Sequence, residues 1–214
     1  MPLTALREQN KLLTTETALT LFIRQGVDQT SIKDVARAAG VTERSVYRYF
    51  ETRSQLILAT TFLFWQRIST QVNDLVASRM DQALTGIQRI RLMLRFYSTL
   101  YLDHPEYVRY ILNAETALHN AGLSAAVRSR PPGRFEDSDS PLVQAIRLGL
   151  ADGTVSPRAD VKEIYYNAYD AILGAMQRQV LGSTDCDLDG RTRMEHLCEL
   201  FVQAFAGEMG TAPL

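Results

Sequence analysis

The residues that staple small proteins or hold metals are scarce in this chain. Two cysteines, Cys186 and Cys198, and three histidines, His104, His119 and His196, are all that its 214 residues supply. Two cysteines are too few for a disulfide framework of the secreted type, so both are expected to be free thiols. The histidines lie in three separate segments, and His196 and Cys198 stand two apart, a spacing at which helical side chains diverge. No metal site follows. Long apolar runs are also missing, since none approaches the roughly 20 residues that a bilayer crossing takes. The opening MPLTALREQNK reaches polar and charged side chains within a few positions, unlike an export signal. A soluble cytoplasmic protein with no membrane partner is the expectation. Strictly alternating β-branched runs are absent, which argues against strands. There is no G-x-S-x-G, no Walker loop, no G-x-G-x-x-G after a strand and no cluster of histidines with carboxylates, so neither an enzyme nor a cofactor is expected.

What is present is an ordinary globular composition, 46% hydrophobic and 22% charged, with a formal net charge of -1. That near-balance hides a division. Residues 1–60 hold an excess of two cations, whereas the remainder holds an excess of three acids. An asymmetry of this kind suggests that the first part meets a polyanion.

Helical periodicity runs through almost every long segment, which predicts an all-α protein. A first helix is expected from about Thr4 to Gln25, stopped by Gly26. Ser31 caps the next, with Asp34 three residues on as a variant capping box. Ile32, Val35, Ala36 and Ala39 form its narrow apolar stripe. Gly40 can take the left-handed turn, and Thr42 caps a third helix that carries GVTERSVYRYF, residues 40–50. Short helix, tight glycine turn and short helix spell a helix-turn-helix. At 100° per residue the third helix turns Val46 and Phe50 inward and gathers Arg44, Ser45 and Arg48 on the opposite side, with Tyr47 and Tyr49 at the edges. Guanidinium groups so placed can fork onto guanine edges, and flanking phenols can reach phosphates. A solvated charged face beside half-buried tyrosines would show the same pattern without binding anything.

The stretch TSIKDVARAAGVTERSVYRYFETRSQL resembles the N-terminal signature of the tetracycline-repressor (TetR/AcrR) family of transcriptional regulators. The resemblance rests on Thr30, Val35, Ala36, Ala39, Gly40, Val41, Thr42, Tyr47, Tyr49, Phe50 and Arg53, and it covers roughly residues 8 to 60. It implies a ligand-responsive repressor that binds a pseudo-palindromic double-stranded operator as a homodimer. It also implies a helix-turn-helix domain over 1–53 and a larger helical effector-binding and dimerisation domain over 54–214. Lys33 and Thr42 correspond to family positions that touch DNA backbone or bases, and Arg44, Ser45, Tyr47, Arg48 and Tyr49 to the recognition helix. Arg53 stands where the family usually has a phosphate-holding lysine. Arg44 departs from a position often held by a small residue, and it either adds a base contact or swings to a phosphate. A helical protein-interaction module without specific DNA binding is the alternative.

Beyond residue 53, helices are expected over about 54–79, 82–102 and, capped by Asp103 with Pro105 and Glu106, to about Asn120. Residues 121–139 read as a loop or broken helix. Ser140 and Pro141 start a further helix, Asp160 and Glu163 cap one of about twenty residues, and the last runs from about Gly190 to Gly207. The resemblance implies a small-molecule effector, apolar or aromatic, and the large side chains Phe62, Trp65, Phe96, Tyr97, Tyr110, Tyr166 and Tyr169 with Glu115 and His119 are its candidate pocket. It implies further that Ile164, Ala168, Ala171, Ile172 and Ala175 pair with Leu197, Phe201 and Phe205 across a dimer of four helices. Both sets also fit plain intramolecular core. DCDLDGRTRMEH, residues 185–196, opens like a calcium loop with Asp185, Asp187, Asp189 and Gly190, but His196 stands where the bidentate glutamate belongs. It is expected to be an exposed turn that caps the last helix with an aspartate.

Overall fold

The computed structural model describes residues 3–79, 83–124, 126, 135, 136, 140–182 and 189–208, with side chains from residue 5 onwards. Among these residues there are nine helices and no strand: α1 (Leu3–Gln25), α2 (Ile32–Ala38), α3 (Glu43–Tyr49), α4 (Arg53–Ala77), α5 (Gly86–Asp103), α6 (Pro105–Asn120), α7 (Pro141–Asp152), α8 (Val161–Val180) and α9 (Gly190–Ala206). By packing they form two compact units, residues 1–67 with 109–131 and residues 68–108 with 132–214. Most of the expected loop at 121–139, and Asp185, Cys186 and Asp187, lie outside the described residues.

In the first unit the local chemistry decides each boundary. Gly26 and Gly40 both take positive φ, +94° and +67°, and so end α1 and α2 without strain on a side chain. The capping box at α2 is reciprocal: Asp34 N–H donates to Ser31 Oγ at 3.1 Å, and Ser31 N–H to Asp34 Oδ2 at 3.0 Å. Thr42 Oγ1 accepts from Ser45 N–H at 3.1 Å and opens α3. Ala18, Leu19, Phe22, Val35, Val46, Leu56 and Ile57 are buried beneath these helices. Each large apolar side chain so buried contributes about 1.5 to 3 kcal/mol. Within the same unit α6 lays Tyr110 against α4, with its ring 5.4 Å from that of Phe64 and its hydroxyl donating to Thr60 Oγ1 at 2.9 Å.

The second unit is built on α5. Gly86 and Gly149 let α5 and α7 touch backbone to backbone, since a Cβ on Gly86 would meet Gly149 N at 2.0 Å. Helix α5 begins at Gly86, four residues after the expected start, where Thr85 is the N-cap and its N–H donates to Gln88 Oε1 at 2.9 Å; the next amides are taken from far along the chain, Gly86 N–H donating to Asp152 Oδ2 at 2.7 Å and Ile87 N–H to Thr154 Oγ1 at 3.1 Å. On the other side α9 packs on α5 through Arg91, which forks onto Glu199 at 3.0 and 2.7 Å, and through Cys198, whose buried thiol donates to the Leu94 carbonyl. Asp103 ends α5 instead of capping α6. His104 takes the junction, and the Asp103 carboxylate accepts from Arg191 at 2.8 Å. Asp189 caps α9 by accepting from Thr192 N–H at 2.9 Å.

Candidate nucleic-acid interface

Helix α3 is anchored on one side and free on the other. Val46 is fully buried and Phe50 nearly so, while Arg44, Tyr47 and Arg48 are exposed. Among the described residues neither Arg44 nor Arg48 is ion-paired. Another cation of this region, Arg37, is taken up by Asp34 at 2.6 Å. The Arg48 guanidinium lies 5.6 Å from the ring of Tyr49, which is itself edge-on to Phe50. Stacking of this kind holds the cation without neutralising it. Arg7 of α1 donates to the Arg48 carbonyl at 3.5 Å, and Lys11 sits 5.7 Å from the Phe50 ring, so α1 secures the C-terminal end of α3 from behind.

The N-terminal end of α3 borders an open polar depression of about 510 Å³ that includes Lys33, Glu43, Tyr47 and Arg53. At the same end of α3 the hydroxyls of Thr42 and Ser45 stand 3.0 Å apart. Lys33, Thr42, Arg44, Ser45, Tyr47, Arg48 and Tyr49 thus lie on or beside one short helix. Arg53 borders the depression too, but its Nη2 donates to the Val27 carbonyl and lies 3.4 Å from that of Thr30. Glu43 stands outside the pattern of cations and phenols that marks this helix in the sequence. Its place in the first turn of the helix is the signal that would have found it, since acids are favoured there and a carboxylate can accept from a cytosine amino group.

The candidate effector residues are divided between the units. In the first unit Tyr110 and Trp65 are buried, Phe62 and Glu115 partly so, and His119 is exposed with Nδ1 3.1 Å from Ser124 Oγ. Burial pushes the Tyr110 phenol up to about 12, against the pull of Thr60 and Thr61. In the second unit Phe96, Tyr97 and Tyr169 are partly buried, and burial beside Tyr165 holds the Tyr97 phenol above its ordinary range. The Tyr166 hydroxyl accepts from Phe135 N–H at 3.1 Å. Two small cavities within the second unit involve none of these residues: about 170 Å³ beside Arg91 and Arg95, and about 120 Å³ beside Arg89 and Met93.

Of the candidate dimer residues, Ala168, Ile172 and Phe205 are turned into the unit's own core. Ile164, Ala171, Ala175, Leu197 and Phe201 are partly exposed, and beside them Leu200 is 48% exposed. Leu200 falls outside the set Leu197, Phe201 and Phe205 singled out in the sequence, of which Phe205 faces inward. No group of three His, Cys, Asp or Glu suited to a metal occurs among the described residues, and no described helix is long and apolar enough to cross a membrane.

The model of the bacterial regulatory proteins of the tetR family matches residues 15–60, the stretch that holds the glycine turn and α3. The HTH-type transcriptional repressor KstR2 of Mycolicibacterium smegmatis is 26% identical over 151 residues, 69% of this chain and 68% of that protein. The probable acrEF/envCD operon repressor of Escherichia coli is 40% identical over 52 residues, 24% of this chain and 23% of its own length. Among solved structures, a TetR-family regulator from Mesorhizobium loti superposes with a TM-score of 0.70 over 94% of this chain and 97% of that one, at 14% identity. Thermus thermophilus FadR in complex with lauroyl-CoA superposes with a TM-score of 0.66, at 14% identity, over 95% of this chain and 99% of that one. Residues 15–60 are thus similar to the N-terminal domain of the tetR-family regulatory proteins, and the fold of the chain is similar to that of solved TetR-family structures.

Proposed function

We propose that the chain is a ligand-responsive repressor that binds a pseudo-palindromic operator as a homodimer and releases it when a small molecule binds. The observation that carries this is the exposure of Arg44 and Arg48, neither of them ion-paired among the described residues, on a helix whose inner side is fixed by Val46 and Phe50. Arg44 and Arg48 read base edges, while Lys33, Thr42, Ser45, Tyr47 and Tyr49 hold the register on the backbone. Arg53 positions the depression that Lys33 and Tyr47 border, and its remaining donors face a phosphate. Residues 1–53 carry this task, and residues 54–214 carry effector binding and dimerisation.

Two copies present two α3 helices about 34 to 36 Å apart, one turn of B-DNA, so that two weak half-sites act as one strong site. The partly exposed Ile164, Ala171, Ala175, Leu197 and Phe201, with Leu200, form the face on which they meet. Repression is favoured by the named repressors among the relatives, and a small-molecule effector by the lauroyl-CoA held in FadR. The protein works in the cytoplasm, beside the chromosome. Selection of bound sequences from a random DNA pool tests the proposal. An inverted repeat whose affinity falls steeply with salt supports it, and a flat salt dependence or no enriched sequence refutes it.

A further inference from the structure

The cavity of about 120 Å³ in the second unit has the composition of a binding site for a small organic acid. Three helices converge on it: the end of α4, the first half of α5 and the start of α7. Val76, Met93 and Ala145 supply an apolar wall, and Asn73, Gln144 and Arg89 supply polar groups. Met93 and Ala145 are 2% exposed, so the wall is continuous with the core, whereas Asn73 and Gln144 are at the surface. The cavity therefore has a dry side and a wet mouth. A small ligand with one apolar end and one polar end matches that division.

Charge narrows the class. Among the described residues, Arg89 is the one cation that lines the cavity and no acid lines it. Its Nε donates to the Leu84 carbonyl at 3.3 Å, which orients the guanidinium. Asp152, the carboxylate that feels its field, is engaged by Gly86 N–H at 2.7 Å and Thr154 N–H at 3.0 Å. A half-buried arginine with a fixed plane is suited to the two oxygens of a carboxylate. Size sets the rest, because an apolar cavity of about 150 Å³ accommodates a benzene ring, and this one is slightly smaller with an open mouth. We infer that the cavity binds a monocyclic or short-chain carboxylate, with its carboxylate on Arg89 and its hydrocarbon part against Val76, Met93 and Ala145. The inference rests on the proposal that the C-terminal region answers to a small molecule, and it names the chemical class.

The test titrates the full-length protein calorimetrically with benzoate, hexanoate, the neutral analogue benzyl alcohol and inorganic phosphate, and repeats the titrations on three variants. At least one carboxylate is expected to bind saturably, and at least tenfold tighter than benzyl alcohol or phosphate. Arg89→Met is expected to weaken it at least tenfold, Val76→Phe to block it by filling the cavity, and Arg95→Met, outside the cavity, to leave it unchanged. Should Arg89→Met fail to fold, Arg89→Lys serves in its place and is expected to retain part of the affinity. Equal binding of acid and alcohol, wild-type affinity in the Arg89 variants, or no saturable carboxylate binding overturns the inference. A parallel operator-binding assay separates the two levels: DNA bound and released by a neutral compound keeps the repressor proposal and removes this site, whereas no specific DNA binding removes the repressor proposal whatever the acids do.

Discussion

Arg53 Nη2 donates to the carbonyl oxygen of Val27, tying the first turn of α4 to the turn that joins α1 to α2. A cation at this position is a strut as well as a candidate DNA contact. Arg53→Met should lower the stability of the folded chain by about 1 to 2 kcal/mol, because carbonyls in a partly buried turn lose a charged donor. Arg53→Lys should recover only part of this, since an ammonium lacks the planar fork. Denaturant titration reads the change. An unaltered midpoint with weakened DNA binding would assign Arg53 to phosphate alone.

Arg44→Ala and Arg48→Ala remove exposed side chains that touch little of the protein, so stability should hardly move. Each should weaken operator binding by about 1 to 3 kcal/mol if it reads a base, with relaxed sequence preference at one position. If Arg44 contacts a phosphate instead, the loss is uniform across sequences and the slope of log K against log salt falls by about 1. Comparing several operator variants in a mobility-shift titration distinguishes the two outcomes.

Tyr110 gives a stability signature in alkali. Its phenol is raised from 10.0 to about 12 by burial, so between these values the unfolded chain has released its proton while the folded chain retains it. The contribution is complete below 10 and disappears as the pH rises through 12, so stability should decline across that window. Tyr110→Phe should flatten this decline and cost about 0.5 to 1.5 kcal/mol at neutral pH through the lost hydrogen bond to Thr60. Thermal melts at a series of pH values provide the comparison.

Gly86 and Gly174 should respond in opposite ways to alanine. On Gly86 the new methyl would meet backbone atoms of Gly149 at 2.0 and 2.2 Å, so α5 and α7 must separate, at a cost of about 1 to 3 kcal/mol or more. Gly174, within α8, has nothing within 4 Å, and Gly174→Ala should gain up to about 1 kcal/mol of helix propensity in the monomer. Unfolding midpoints of the two variants decide the matter.

Leu200 is the exposed apolar residue best placed to report on association. Leu200→Asp leaves the core of the second unit untouched, so helicity should persist while the dimer dissociates and operator affinity falls. Sedimentation measured with and without operator DNA tests this, and an unchanged sedimentation coefficient would remove Leu200 from the proposed dimer face.

The first three helices were legible because their determinants are local. Ser31, Asp34, Gly40 and Thr42 act within four residues of themselves, and the stripe Val35, Val46 and Phe50 follows from helical period alone. Farther along, the determinants are distant. The Gly86 and Ile87 amides of α5 are met by Asp152 and Thr154, Asp103 is drawn to Arg191, and Arg53 finds its carbonyls 26 and 23 residues upstream. None of these pairings has a sequence period. The apolar stripe of α9 was visible, but periodicity cannot say whether a stripe meets its own chain or a second one. Phe205 is fully buried, whereas Leu200, outside the stripe, is exposed. The cavity at Arg89 left no sequence trace either, since it is the gap left where three helices fail to fill space.

The cap on α5 also orders events during synthesis. A nascent chain that has not yet extruded Asp152 and Thr154 lacks the groups that occupy the Gly86 and Ile87 amides, so α5 leaves the ribosome with only its local Thr85–Gln88 cap in place. Closure then waits for α7 to emerge and press Gly149 against Gly86. In pulse-labelled deuterium exchange on stalled chains, these two amides should remain unprotected until residue 154 is clear of the exit tunnel, and become protected together.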